Sequence, residues 1–155
     1  MTTINEHVAA LLRDPQTGKA LATTDMHGVP HIILDQTITI NDQGQLVYLE
    51  LIETSQTNVN LVNSIWFKRK VAITLHTPEE TYQIKGVPAY SIICGPVFEH
   101  YYRLALERNP DYDLSTVWLI EPEEINADTY AHRKSKEQAE HPLVMHLDRL
   151  ALGAT

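Results

Sequence analysis

The sequence predicts a mainly β domain: six antiparallel strands, closed or partly closed into a barrel, with short helices flanking it. Three observations carry this. Strand-like runs are joined by tight-turn residues at Met26-His27-Gly28 and Asp42-Gln43-Gly44, so that neighbouring strands run antiparallel. The order of elements is roughly α-β-β-β-α-β-β-α-β-α, without the regular alternation that builds a doubly wound parallel sheet. Gly86 and Pro88 interrupt one long strand-like stretch, as a barrel corner requires, and closure removes exposed edges.

Taken in order, residues 5–13 put Val8, Leu11 and Leu12 on one helical face, and Asp14-Pro15-Gln16-Thr17-Gly18 ends that helix. Residues 19–25 read as a strand. After the turn at Gly28, residues 29–41 read as a second one, with Ile38 and Ile40 alternating with Thr37 and Thr39. Residues 46–52 supply a third, giving an expected meander of three sequential strands. Next comes a helix starting near Val59 and running through Asn63 or Ser64, with Leu61, Val62 and Ile65 available to the core. The run Val-Ala-Ile-Thr-Leu-His at 71–76 is too short for a helix and rich in β-formers. Residues 81–93 form the long interrupted strand, and Phe98, Tyr101, Tyr102, Ala105 and Leu106 share a helical side over 98–108. Residues 115–120 are the last expected strand. The tail, 127–155, carries Leu143, Val144, Leu147, Leu150 and Leu152, spaced for a helix docked on a partner surface.

At 155 residues, one domain spanning 1–155 is expected, large enough to bury a core without staples. The net charge of −8, from 12 Lys and Arg against 20 Asp and Glu, argues against a nucleic-acid partner. Lys68-Arg69-Lys70 is the one dense basic run, and it reads as a strand entrance. Cys94 is the only cysteine, so no internal disulfide forms. The first thirty residues lack an uninterrupted apolar stretch, and no segment approaches the length that spans a bilayer, so a cytoplasmic protein without membrane partners is expected. The eight histidines are dispersed without metal-ligand spacing, so no metal is expected. Neither a serine elbow nor a glycine-rich phosphate loop is present.

One run is chemically open: Glu53-Thr54-Ser55-Gln56-Thr57-Asn58, hydroxyl and amide side chains at a helix entry. Such residues cap helices without any ligand, and the same unpaired N–H groups and dipole stabilise a bound anion. The residues alone leave both readings standing.

The succession LATTDMHGVPH (21–31), DQGQLVYL (42–49), SQTNVNL (55–61), KVAITL (70–75) and YQIKGVPA (82–89) resembles the pyridoxamine 5'-phosphate oxidase-like FMN-binding split-barrel proteins over about residues 19–125. This resemblance implies a six-stranded split barrel that dimerises, with FMN in grooves between two subunits. It places the flavin ring against Ile33, Leu34, Asp35, Gln36 and the end of the 46–52 strand, and the phosphate at Ser55, Gln56 and Thr57. It also brings forward Trp118, which either packs on the flavin from the other subunit or is a core or interface tryptophan, the reading its residue type favours. His31 adjoins the same strand. The chain departs from the family where Lys or Arg is usual, having Gln56 and Thr57 instead; Lys68, Arg69 or a partner residue would have to supply the charge. The implied function is a homodimeric FMN-dependent small oxidoreductase. The alternatives are a non-catalytic binding module on the same fold, or a deazaflavin- or haem-binding relative. No catalytic residue is assigned.

Overall fold

A computed structural model describes residues 3–142. Its elements in order are α1 (Glu6–Arg13), β1 (Gly18–Thr24), β2 (Pro30–Leu34), β3 (Thr39–Ile40), β4 (Leu46–Glu50), α2 (Gln56–Phe67), β5 (Val71–His76), β6 (Thr81–Ile92), α3 (Pro96–Arg108), β7 (Thr116–Ala127) and α4 (Tyr130–Glu140). The strands form one antiparallel sheet of seven, in the order β2-β1-β5-β6-β7-β4-β3.

That order shows why the sheet curls. β2 and β3 stand at its two ends, yet only residues 35–38 separate them in the chain. So short a link spans less than about 20 Å, and the two ends must be brought round towards each other. The core lies inside this curl, where Leu21, Ile38, Leu46, Ile73, Ile84, Trp118 and Ile120 meet Val8 and Leu12 of α1 and Leu61 of α2. β4 and the first half of β7 are buried on both faces. Leu46 and Tyr48 point inward with Trp118 and Ile120, while Val47, Leu49, Val117 and Leu119 face Phe98, Tyr101 and Tyr102 of α3. Side chains alternate along a strand, so an unbroken apolar run serves two cores.

Several expectations are corrected. The sheet has seven strands, because the expected strand at 29–41 is two. Asp35 accepts the Thr37 N–H (2.8 Å) and hydroxyl (2.6 Å), and the Ile38 N–H turns back to the Asp35 carbonyl (3.4 Å), which breaks the ladder between β2 and β3. The meander is therefore absent: β1 pairs with β2 and β3 with β4, and these two hairpins lie at opposite ends of the sheet. Helix α2 begins at Gln56 and runs to Phe67, longer at both ends than expected. β7 continues through Glu121-Pro122-Glu123 to Ala127 because it pairs with the first half of β6. The expected bend in β6 is present, with shifts in pairing at Lys85/Gly86 and at Pro88/Tyr90. At Gly86 the strands touch so closely that a Cβ would sit 2.3 Å from the Glu121 carbonyl oxygen. The apolar tail residues Leu143, Val144, Leu147, Leu150 and Leu152 lie outside the described residues. No helix among those described is long and apolar enough to cross a membrane.

Candidate functional site

A cleft of about 410 Å³ opens where β2, the end of β4 and the start of α2 converge, a size suited to a small organic ligand. It joins the two groups of residues that the sequence placed in one site: Ile33, Leu34 and Asp35 on one wall, Ser55, Gln56 and Thr57 on the other. His31, Tyr48, Glu50 and Ile52 complete it.

The α2 end is built as a donor cradle. Ser55 is the N-cap, its Oγ accepting the Asn58 N–H at 3.0 Å, which leaves its own O–H free to donate. Among the described residues the N–H groups of Gln56 and Thr57 have no acceptor, as helix geometry dictates for the first turn. The Thr57 hydroxyl has no partner either, although Thr57 is only 2% exposed. Its hydroxyl is not among the buried polar atoms left without a partner, and Thr57 lines the cleft, where that hydroxyl is open to a ligand or to water. Gln56 is otherwise engaged, its side-chain amide donating to Asn60 Oδ1 (2.7 Å), while Asn60 donates to Thr23 Oγ1 (2.9 Å). Two free amides, two hydroxyls and the positive end of the α2 dipole fit a phosphate through neutral donors.

Among the described residues no lysine or arginine lines the cleft. The cations suggested by sequence lie at the other end of α2, about 18 Å away along twelve residues. Arg69 is held there by the Asp25 and Met26 carbonyls and stacks 5.5 Å over Phe67, so Lys68 and Arg69 do not serve this cradle within one subunit. Lys19 is closer but spent, its ammonium donating to the Leu12 (2.7 Å) and Gln36 (3.0 Å) carbonyls. Burial pushes its pKa below the ordinary lysine value, partly offset by the Asp14 and Asp35 carboxylates.

The floor carries negative charge instead. Glu50, 2% exposed, accepts a short hydrogen bond from the Tyr48 hydroxyl and the Ile52 N–H at 3.2 Å. Burial, reinforced by Glu50, holds the Tyr48 phenol far above its ordinary pKa, so it stays a neutral donor. A buried carboxylate satisfied by the chain in this way offers a ligand an acceptor surface and opposes extra negative charge above it.

Two sequence-derived candidates lie elsewhere. Gln36 is exposed beyond the cleft, contributing its carbonyl to Lys19. Trp118 is 1% exposed and part of the barrel core, as the second of its two readings has it, and it is not a flavin-stacking residue offered by the partner. The physical reason is strand parity, because Trp118 shares its face with Ile120 and pairs with Tyr48. Its indole N–H donates to Asn58 Oδ1 at 2.9 Å, and Asn58 in turn donates to the Glu53 carbonyl (2.9 Å), so Trp118 braces the helix entry from below. The sequence missed this brace, the Asn60 link and the Tyr48–Glu50 floor. The repeated asparagines at 58 and 60 were the available signal, since buried amides need partners. Among the described residues no group of three or more His, Cys, Asp or Glu side chains is arranged to hold a metal ion.

No protein-family model and no curated protein matches the chain. Solved structures do. An FMN-binding protein from Syntrophomonas wolfei superposes with a TM-score of 0.67 at 12% identity, over 78% of this chain and 83% of its own. HupZ of Group A Streptococcus gives 0.66 at 21% identity, covering 81% and 94% respectively. A candidate pyridoxamine 5'-phosphate oxidase from Lactobacillus delbrueckii gives 0.62 at 19% identity, again over 81% and 94%. An F420 reductase and HutZ, the heme storage protein of Vibrio cholerae, also share the fold, at 18% and 13% identity with TM-scores of 0.58 and 0.57; they cover 79% and 81% of this chain and 98% and 95% of their own. At such identities the likeness is one of fold. The structural neighbours are pyridoxamine 5'-phosphate oxidase-like FMN-binding split-barrel proteins, and this chain has their fold, as its succession of sequence motifs led us to expect.

Proposed function

We propose that the chain is an FMN-binding flavoprotein, a small oxidoreductase that works as a homodimer with the cofactor at the subunit interface. The observation that carries this reading is the cluster of free donors at the mouth of the cleft, the N–H groups of Gln56 and Thr57 with the Ser55 and Thr57 hydroxyls beside them. Ser55, Thr57 and the amides of Gln56 and Thr57 would hold the phosphate, and Ile33, Leu34 and Asp35 would border the ring. Bound flavin supplies electron transfer in one- or two-electron steps; the protein supplies position and electrostatics. The Glu50 carboxyl, held by the neutral Tyr48 phenol, would lie at the floor of the cleft beneath a bound ligand.

The dimer is supported by exposed apolar rows on adjoining elements. α2 packs on β1, β2 and β6, and its outward face carries Val59, Val62 and Trp66, the last 78% exposed. Ile32 and Leu34 of β2 are 66% and 86% exposed. A second copy would cover these rows and roof the cleft.

A second reading has its own observation: Asp35 and Glu50 line a cleft that lacks Lys and Arg, which suits a binding module without an anionic cofactor. Absorbance of the purified chain separates the readings. Flavin bands, or their appearance on adding FMN, support the proposal. A deazaflavin or haem spectrum moves the cofactor to another class, and a colourless protein indifferent to added FMN favours the binding module.

A further inference from the structure

Next to the cleft, and sharing its wall of Leu34, Asp35, Leu49 and Leu51, lies an annex of about 240 Å³. Ala105 and Arg108 of α3, together with Tyr112, form its other side, and Thr37 completes it. Asp35 and Thr37 are already bonded to each other. Arg108 is different, for among the described residues it makes no hydrogen bond and no ion pair, with Asp35 or with any other group.

A cation in the last turn of a helix complements the dipole, which accounts for Arg108 as a residue of α3. It does not account for the pocket beside it, one wall of which is aliphatic. A pocket with one wall of Leu34, Leu49, Leu51 and Ala105 and a polar side of Asp35, Thr37, Tyr112 and the exposed, unpaired Arg108 guanidinium matches a specific class of ligand. The planar fork of arginine pairs bidentately with a carboxylate, and the aliphatic wall takes an apolar body. A dianionic phosphate fits less well, with a single cation to meet it and Asp35 on the same wall.

We propose that the annex is the substrate pocket beside the flavin cleft, and that it takes a small monocarboxylate with an apolar body, its carboxylate held by Arg108 and the Tyr112 hydroxyl. The word substrate rests on the flavin reading given above; binding of the carboxylate does not, and it is tested without flavin.

The experiment is an amide chemical-shift titration of the whole chain with benzoate, with its neutral analogue benzyl alcohol and with inorganic phosphate, repeated on Arg108→Gln and Arg108→Lys. Saturable benzoate shifts are expected at Leu49, Leu51, Ala105 and Tyr112, with benzoate preferred over benzyl alcohol by about tenfold or more, the worth of one charge-assisted pair. Arg108→Gln abolishes the preference, and Arg108→Lys, which keeps the charge without the fork, retains part of it. Equal binding of benzoate and benzyl alcohol, absence of saturable shifts at these residues, a preference that survives Arg108→Gln, or phosphate binding in place of benzoate would each overturn the proposal. FMN titrated into the same samples keeps the two readings apart: FMN affinity is expected to be unchanged in Arg108→Gln, and a chain that binds benzoate in the annex but no FMN removes the flavin reading alone.

Discussion

At Thr57 a hydroxyl that makes no hydrogen bond lines the cleft beside two free amides, a donor that ordinary helix capping by Ser55 does not require. Ser55 already provides the cap, so Thr57 adds nothing that α2 needs. Thr57→Val preserves shape and removes only the hydroxyl. FMN affinity is expected to fall about tenfold, as for one lost hydrogen bond to a charged acceptor, with thermal stability unchanged or slightly raised. Flavin fluorescence titration and a melting curve check both halves. Asp25 makes a separate prediction about pH. Its Oδ1 accepts the N–H groups of Val29 and His27, both at 2.8 Å, and these bonds, Val29 first, hold its carboxyl below the ordinary value of 3.8. A depressed folded pKa contributes stability that is complete above 3.8 and lost as pH falls through the folded value. The stability gap between the wild type and Asp25→Asn is therefore expected to narrow as the pH of melting experiments drops below about 4. A gap that stays constant would contradict this. The residue runs at 33–35 and 55–57 were legible as one site because their order resembles that of a known fold. The role of Trp118 was not, because 117–120 is apolar at every position and its period marks no face.

At the scale of elements, the bend in β6 is the feature the sequence announced most directly. Gly86 and Pro88 mark it, and the register shifts fall beside them. Pro122, beyond the expected end of the last strand at 120, is tolerated in it because it pairs with Gly86 at the bulge, where a missing ladder donor costs least. Gly86→Ala drives a Cβ to 2.3 Å from the Glu121 carbonyl and 3.1 Å from Ile120 Cγ2. The strands must part to admit it, and a loss of about 1–3 kcal/mol is expected from urea unfolding midpoints. A wild-type midpoint would show that the β6–β7 crossing is looser than described. The break between β2 and β3 was harder to foresee. Alternating Thr and Ile continue the strand period through it, and only the bonding of Asp35 to Thr37 reveals the turn. Where a local side-chain turn competes with a strand pattern, the pattern alone does not decide.

For the whole molecule, the uncovered apolar rows of β2 and α2 carry the expectation of assembly. Their location beside the cleft links assembly to the site, since a second copy seated there would enclose the ligand. Light scattering at micromolar concentration is expected to give twice 17.6 kDa, and Trp66→Asp to shift the mass towards that of the monomer. A monomeric wild type would remove the shared site. The antiparallel, mainly β class was legible because turn chemistry is local, whereas the order of strands in the sheet, the donor cradle, the buried Glu50 floor and the unpaired Arg108 come from contacts between distant segments. The central claim, that the entry of α2 is a flavin phosphate site, is tested most directly by titrating the purified chain with FMN and with riboflavin, which lacks the phosphate. The account predicts saturable binding of one FMN per subunit, about tenfold or more tighter than riboflavin, because the donors at residues 55–57 meet only the phosphate. Equal affinity for the two flavins, or binding of neither, would contradict it.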